Sequence, residues 1–269
     1  MEKDIPTALG SLRVRVDGDG PATAVLWHSL YADDRSWDGV APALSRDRRL
    51  VRITGPGHGG SGSPSRPYTL DDCVVAAAEV LLAVGVTDAV DWLGCAWGGH
   101  VGIAFAAANP ERVRTLAAFN SPVQALSADE LPRVRLLVRV YRLIGARGPV
   151  LSGVTSALLS SRTREADPDA VSYVQECLRR LNRRALLTAI RSISLGRPDL
   201  RPLLPRIPVP TLHVTTEDDP LWTPQQAEAA AALMPRGTSR VAAGGHLTPL
   251  ESPDETIELV RELWGATAR

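Results

Sequence analysis

The stretch Gly94-Cys95-Ala96-Trp97-Gly98-Gly99 decides how this 269-residue chain is read. Before it, Ala89-Val90-Asp91-Trp92-Leu93 has the length and apolar content of a short buried strand. After it, Gly99 to Asn109 is a run of small and apolar residues suited to a helix. Glycines at 94 and 98 let the backbone turn tightly and let strand and helix approach closely. A strand-turn-helix of the pattern G-x-S-x-G holds its middle side chain exposed at the turn. Here that middle residue is Ala96, whose methyl group cannot attack anything.

Outward from the turn, the pattern alternates. Leu12-Arg13-Val14-Arg15-Val16 reads as a half-exposed antiparallel strand closed by the turn Asp17-Gly18-Asp19-Gly20. Residues 24–27, 50–53, 113–119, 211–215 and 238–241 read as further strands. Helical patterns fill 70–84, 224–233 and 253–264. This rhythm predicts an α/β fold with a mostly parallel central sheet flanked by helices. From Ser121 to Arg206 the rhythm stops. Leu131, Val134, Val138, Tyr141 and Ile144, and then Val174, Leu178, Leu181 and Ala185, recur at helical steps. The expected organisation is a core of residues 1–120 and 207–269 interrupted by a helical cap at 121–206.

The formal net charge is zero, so nothing global favours nucleic acid or a membrane surface. No run of apolar residues is long enough to span a bilayer, and no apolar stretch follows the N-terminal charges. Cys73, Cys95 and Cys177 are an odd number without metal-ligand spacing, which points to a reducing, cytoplasmic setting. Neither a metal nor an organic cofactor is expected. The glycines between 55 and 62 lack the lysine and spacing of a phosphate-binding loop. The expected partner is a small-molecule substrate, and the sequence is silent on oligomeric state.

Three loops follow predicted strands, where sites form in open α/β sheets. They are the turn at 94–98, Thr216-Glu217-Asp218-Asp219-Pro220, and Gly244-Gly245-His246-Leu247. A hydroxyl becomes a nucleophile when a histidine takes its proton and a carboxylate orients that histidine. By position, residue 96 is the nucleophile site, His246 the base and Asp219 the acid, with Asp218 as fallback.

In that order the loops make the chain resemble the α/β-hydrolase superfamily, in its capped esterase, lactonase and C–C hydrolase-like branch. His28-Ser29-Leu30 resembles the family's oxyanion loop, and Pro56-Gly57-His58-Gly59-Gly60-Ser61 its P-G-x-G-x-S loop. The resemblance implies an oxyanion hole from the backbone N–H groups of Leu30 and Trp97. It implies hydrolysis of an ester, thioester or lactone of a small, mostly apolar molecule. The chain departs from the pattern at Ser29, where glycine is usual, at Thr54, where aspartate is common, and at Ala96. Ala96 fits an engineered serine replacement, which leaves the chain inactive or strongly impaired. It also fits a natural non-hydrolytic member, either a binding protein or a lyase or cyclase using the His246–Asp219 dyad. C–C bond hydrolysis is a further alternative.

His28, Ser29, Trp222 and Tyr141 are the candidate substrate-binding residues, with core packing as the competing role for Trp222 and Tyr141. His58 fits support of its own loop, and His100 and His213 fit the core. Cys95, one position before the exposed site, reads as buried filler. Arg133, Arg135, Arg139 and Arg142, and then Arg179, Arg180, Arg183 and Arg184, crowd two cap helices. They fit recognition of an anion, a solvated helix face or a subunit contact.

Overall fold

The computed structural model describes residues 1–64 and 66–266. Its strands are β1 (Glu2–Thr7), β2 (Gly10–Asp17), β3 (Thr23–Trp27), β4 (Arg49–Ile53), β5 (Val90–Cys95), β6 (Val113–Phe119), β7 (Thr211–Thr216) and β8 (Gly237–Ala242). They form one sheet in the order β1-β2-β4-β3-β5-β6-β7-β8. The pairings β1–β2 and β2–β4 are antiparallel and the rest are parallel. This is the mostly parallel α/β sheet that the alternating rhythm predicts.

Strands β3 to β7 are buried almost throughout, because helices cover both faces of a parallel sheet. The helix Trp97–Ala108 follows β5 and is buried on all sides from Trp97 to Ala107. Its glycines and alanines keep it slim enough for that position. Helices Leu70–Ala83 and Pro224–Ala232 each begin with a capping box, Thr69 with Asp72 and Thr223 with Gln226. The one strand that the sequence pattern did not reveal is β1. Its Glu2-Lys3-Asp4-Ile5-Pro6-Thr7 buries only Ile5, and Pro6 is tolerated because the strand lies at the sheet edge. Arg13 on β2 holds it through Asp4 and Glu2, at 2.6 and 2.5 Å.

Between β6 and β7 the described chain is helical, at Glu130–Ile144, Gly148–Leu158, Ser161–Ala166, Pro168–Arg180 and Arg183–Ala189. A π-helical turn, Ile190–Leu195, and a 3-10 segment, Arg201–Arg206, follow. Val138, Tyr141, Val174, Leu178 and Ala185 are buried. Ile144 is not; it lies at the end of its helix, where Gly145 at φ 70° stops the turn.

After β4 the chain passes back over β3 to form β5, so the direction of winding reverses between those two neighbours. Such a reversal opens a crevice at the carboxyl ends of the strands. The segments after β3, β5, β6, β7 and β8 all emerge at that edge, because these strands run parallel.

Candidate active site

Residue 96 occupies a strained turn. Ala96 has φ 47° and ψ −104°, a conformation that a side chain with a Cβ rarely adopts. The turn closes because its flanking glycines have no side chains. A Cβ on Gly94 would lie 2.2 Å from the Gly98 carbonyl, and one on Gly98 would lie 2.0 Å from the Trp27 carbonyl oxygen. The Ala96 amide donates to the Phe119 carbonyl at 2.7 Å, and the Ala96 carbonyl accepts from the His100 amide at 3.0 Å. The Trp92 indole donates to the Gly98 carbonyl at 3.0 Å, fixing the turn from inside the sheet.

Opposite the turn, His246 and Asp219 meet. Nδ1 of His246 lies 3.0 Å from Oδ2 and 3.1 Å from Oδ1 of Asp219. That pairing leaves Nε2 as the ring nitrogen free of the carboxylate. Both side chains are buried, whereas Asp218 is exposed and takes no part. Burial alone would raise the Asp219 carboxyl. The His246 ring and hydrogen bonds from the Leu221 amide and the Asn120 side chain outweigh it and hold Asp219 below the usual carboxylate range.

Asn120 is the partner that sequence reasoning missed. It follows β6 at φ 48°, and its Nδ2 donates to Asp219 Oδ2 at 3.0 Å and to the Gly245 carbonyl at 3.2 Å. Thr248 in turn donates to Asn120 Oδ1 at 2.6 Å. The available signal was its place directly after a central strand. The histidine loop is also anchored to the helical segment. The His246 amide donates to the Leu158 carbonyl at 3.0 Å, and Glu251 accepts from the Gly245 and Ser160 amides at 2.8 and 2.9 Å.

Ala96, Trp97, Leu30 and His246 border one cavity of about 210 Å³, roofed by Leu126, Val134, Leu137, Leu158 and Ile193. Among the described residues, no protein acceptor meets the backbone N–H of Leu30 or of Trp97. Ser29 also lines this cavity, and so does Tyr31 at φ 69°.

Three expected substrate-binding residues lie elsewhere. His28 is fully buried: its Nε2 accepts from the Gly55 amide at 2.8 Å and its Nδ1 donates to the Ser29 carbonyl at 2.7 Å. Both ring nitrogens are therefore committed, and burial favours the neutral ring. Trp222 is fully buried beside His213 and does not reach the cavity. Tyr141 is buried and borders a separate depression near Gly145 and Arg183.

The remaining sequence candidates also find places. His58 donates from Nδ1 to the Pro56 carbonyl at 3.0 Å, inside its own loop. Thr54, at the position where aspartate is common, donates to Asp34 at 2.9 Å and accepts from Ser61 through its carbonyl. Cys95 is buried beneath His246, whose carbonyl accepts from its thiol at 3.6 Å, and burial raises that thiol well above its usual range. Arg133, Arg135, Arg139, Arg142, Arg179, Arg180, Arg183 and Arg184 are all exposed. Among the described residues, no group of three or more His, Cys, Asp or Glu assembles to hold a metal, and no helix is long and apolar enough to cross a membrane.

A sheet wound about a β3/β5 reversal, a strained turn after β5 and a His–Asp pair from the last two strand ends define the α/β-hydrolase architecture. The chain belongs to the alpha/beta hydrolase family, whose model matches residues 24–259. It is 28% identical over 254 residues to a pyrrolizixenacetamide deacetylase of Xenorhabdus hominickii, covering 91% of each chain. It is 28% identical over 266 residues to a pimeloyl-[acyl-carrier protein] methyl ester esterase of Stenotrophomonas maltophilia, covering 95% of this chain and 97% of that one. A thermophilic esterase from Thermogutta terrifontis superposes with a TM-score of 0.89 over 99% of both chains, at 21% identity.

Proposed function

We propose that this chain carries the site of a serine-type carboxylic ester hydrolase acting on an ester, thioester or lactone of a small, mostly apolar molecule. One observation carries the reading: Ala96 is held at φ 47° although nothing in its methyl group requires that conformation. Such strain costs on the order of 1–3 kcal/mol and persists where a site over-determines it. In this reading a hydroxyl at position 96 gives its proton to Nε2 of His246 and attacks the substrate carbonyl. Asp219 holds the ring through Nδ1 and stabilises the imidazolium. The Leu30 and Trp97 amides receive the negative charge that develops on the carbonyl oxygen. Each such donor is worth roughly 10²- to 10³-fold in rate. The adduct collapses as the bond to the leaving alcohol or thiol breaks and His246 returns its proton to that group. The neutral ring then takes a proton from water, which attacks the acyl-enzyme and releases the carboxylic acid and the hydroxyl at position 96.

The segment at 121–206 acts as the cap over this site, because its Leu126, Val134, Leu137, Leu158 and Ile193 close the cavity. With Ala96 the covalent step has no nucleophile, so the chain as it stands binds substrate and turns it over poorly. The relatives support acyl chemistry, being named as a deacetylase and a methyl ester esterase. Ala96 itself favours a second reading, in which the dyad serves a non-hydrolytic binding protein or a lyase. Turnover of p-nitrophenyl butyrate separates the two. The first reading predicts at least about 10³-fold faster turnover in Ala96→Ser, lost again when His246→Ala is added. Equal rates in Ala96→Ser and in the unaltered chain would favour the second.

A further inference from the structure

Arg197 is the cavity residue that the proposed reaction leaves without a task. It is 9% exposed and lines the same cavity as Ala96 and His246. Its Nη1 donates to the Pro122 carbonyl at 2.6 Å and contacts Nε2 of His100 at 2.5 Å, and its Nη2 donates to the Gln124 carbonyl at 2.7 Å. A guanidinium has five N–H groups. Two remain: the second Nη2 hydrogen, and the buried Nε–H, which meets no protein acceptor among the described residues.

No carboxylate forms an ion pair with Arg197 among the described residues. Two acids act on it through space without an ion-pair contact. Glu130, which also lines the cavity, accepts from the Ser127 amide at 2.7 Å, and Asp199 pairs with Arg201 at 2.5 Å. A buried cation held only by carbonyls and a neutral imidazole is costly unless an anion completes it. Burial lowers the Arg197 guanidinium to about 10, against the opposing pull of Glu130 and Asp199. His100, lowered well below its usual range by burial and by the arginine, accepts from Arg197 as a neutral ring. The π-helical turn Ile190–Leu195 precedes Arg197, and Ile193 and Ser194 line the cavity with it. Such turns often mark functional positions.

We propose that Arg197, seated on His100, is a specificity-determining subsite for a carboxylate carried by the substrate, so that the preferred substrate is a short half-ester or a lactone bearing a free carboxylate. Its size follows from the cavity: Ala96, His246 and Arg197 line the same space of about 210 Å³, which admits a short chain between the reacting carbonyl and the carboxylate. This inference rests on the hydrolase reading for the word substrate, and its test does not need turnover.

The test is calorimetric binding to the chain as it stands, using the monomethyl and dimethyl esters of succinate, glutarate and adipate. At pH 7 each monoester binds about 10- to 100-fold more tightly than its diester, the span expected of charge-assisted hydrogen bonds. In Arg197→Gln that preference collapses toward unity, and in Arg197→Lys it is partly kept, because the charge stays but the fork is lost. Equal binding of mono- and diesters by the unaltered chain would overturn the proposal, without recourse to any variant that folds poorly. Loss of both ligands to the same extent in a folded Arg197→Gln would also overturn it. If anion preference appears while Ala96→Ser stays inert, the subsite stands and the hydrolase reading falls.

Discussion

Asn120 Nδ2 donates to Oδ2 of Asp219 at 3.0 Å while the Asn120 backbone sits at φ 48°. The two facts belong together. Asparagine is one of the few residues with a Cβ that visits positive φ readily, and its amide supplies the donor that a buried carboxylate needs. Through the Gly245 carbonyl the same amide also reaches the loop that carries His246. Asp219 and the His246 loop are therefore both held by one side chain from a third strand end.

Replacing Asn120 by aspartate keeps the shape and the tolerance of positive φ but exchanges the donor for a second carboxylate. Two carboxylates sharing a site cannot both ionise easily, so one pKa rises. In an Ala96→Ser background, Asn120→Asp is expected to shift the acidic limb of the kcat/KM profile upward by about one pH unit or more. A pH–rate profile measured on both proteins checks this. A superimposable profile would show that Asn120 does not act on the dyad.

The strain at position 96 predicts an inverted glycine effect. In ordinary backbone, alanine to glycine destabilises; at φ 47° the glycine relieves the Cβ clash instead. Ala96→Gly is therefore expected to raise stability by about 0.5–1 kcal/mol in urea unfolding, with an unchanged m-value. A fall in stability would contradict the assigned turn geometry.

Much of this architecture is visible in the residues themselves. Gly94 and Gly98 are spaced for a close strand–helix approach, and the runs at β3 to β7 are apolar because both their faces are covered. Asp219 and His246 stand out as an acid and a histidine in loops directly after strands. The rest depends on neighbours that sequence does not order. β1 looks polar because only Ile5 turns inward. Nothing local separates Trp222, packed under His213, from a tryptophan that lines a cavity. The exposed arginines between 133 and 184 draw the eye, whereas the buried Arg197 in Leu195-Gly196-Arg197-Pro198 does not.

Acid sensitivity follows from the buried histidines. His213 lies inside β7 against Met234 Sδ and Trp222, and burial lowers its pKa from 6.5 to about 4. The folded pKa lies below the unfolded one, so between those values the unfolded chain binds a proton that the folded chain refuses. Stability is then complete above about pH 6.5 and falls as pH drops, by about 1.4 kcal/mol per unit for each such histidine. In His213→Leu the slope of unfolding free energy between pH 6 and 4.5 should be shallower by about that amount. Asp219, depressed in the folded state, acts lower down: its contribution is present above the unfolded carboxyl pKa and lost as pH falls through the folded one. An unchanged slope in His213→Leu would place the titration on other groups.

The most direct test of the central claim is fluorophosphonate labelling of Ala96→Ser beside the unaltered chain, read by intact mass. If the dyad and the oxyanion amides are already poised around position 96, the serine variant takes up one equivalent at residue 96 and the unaltered chain takes up none. Addition of His246→Ala to the serine variant should abolish that labelling. A folded Ala96→Ser protein that stays unlabelled would contradict the account and move the site to a non-hydrolytic role.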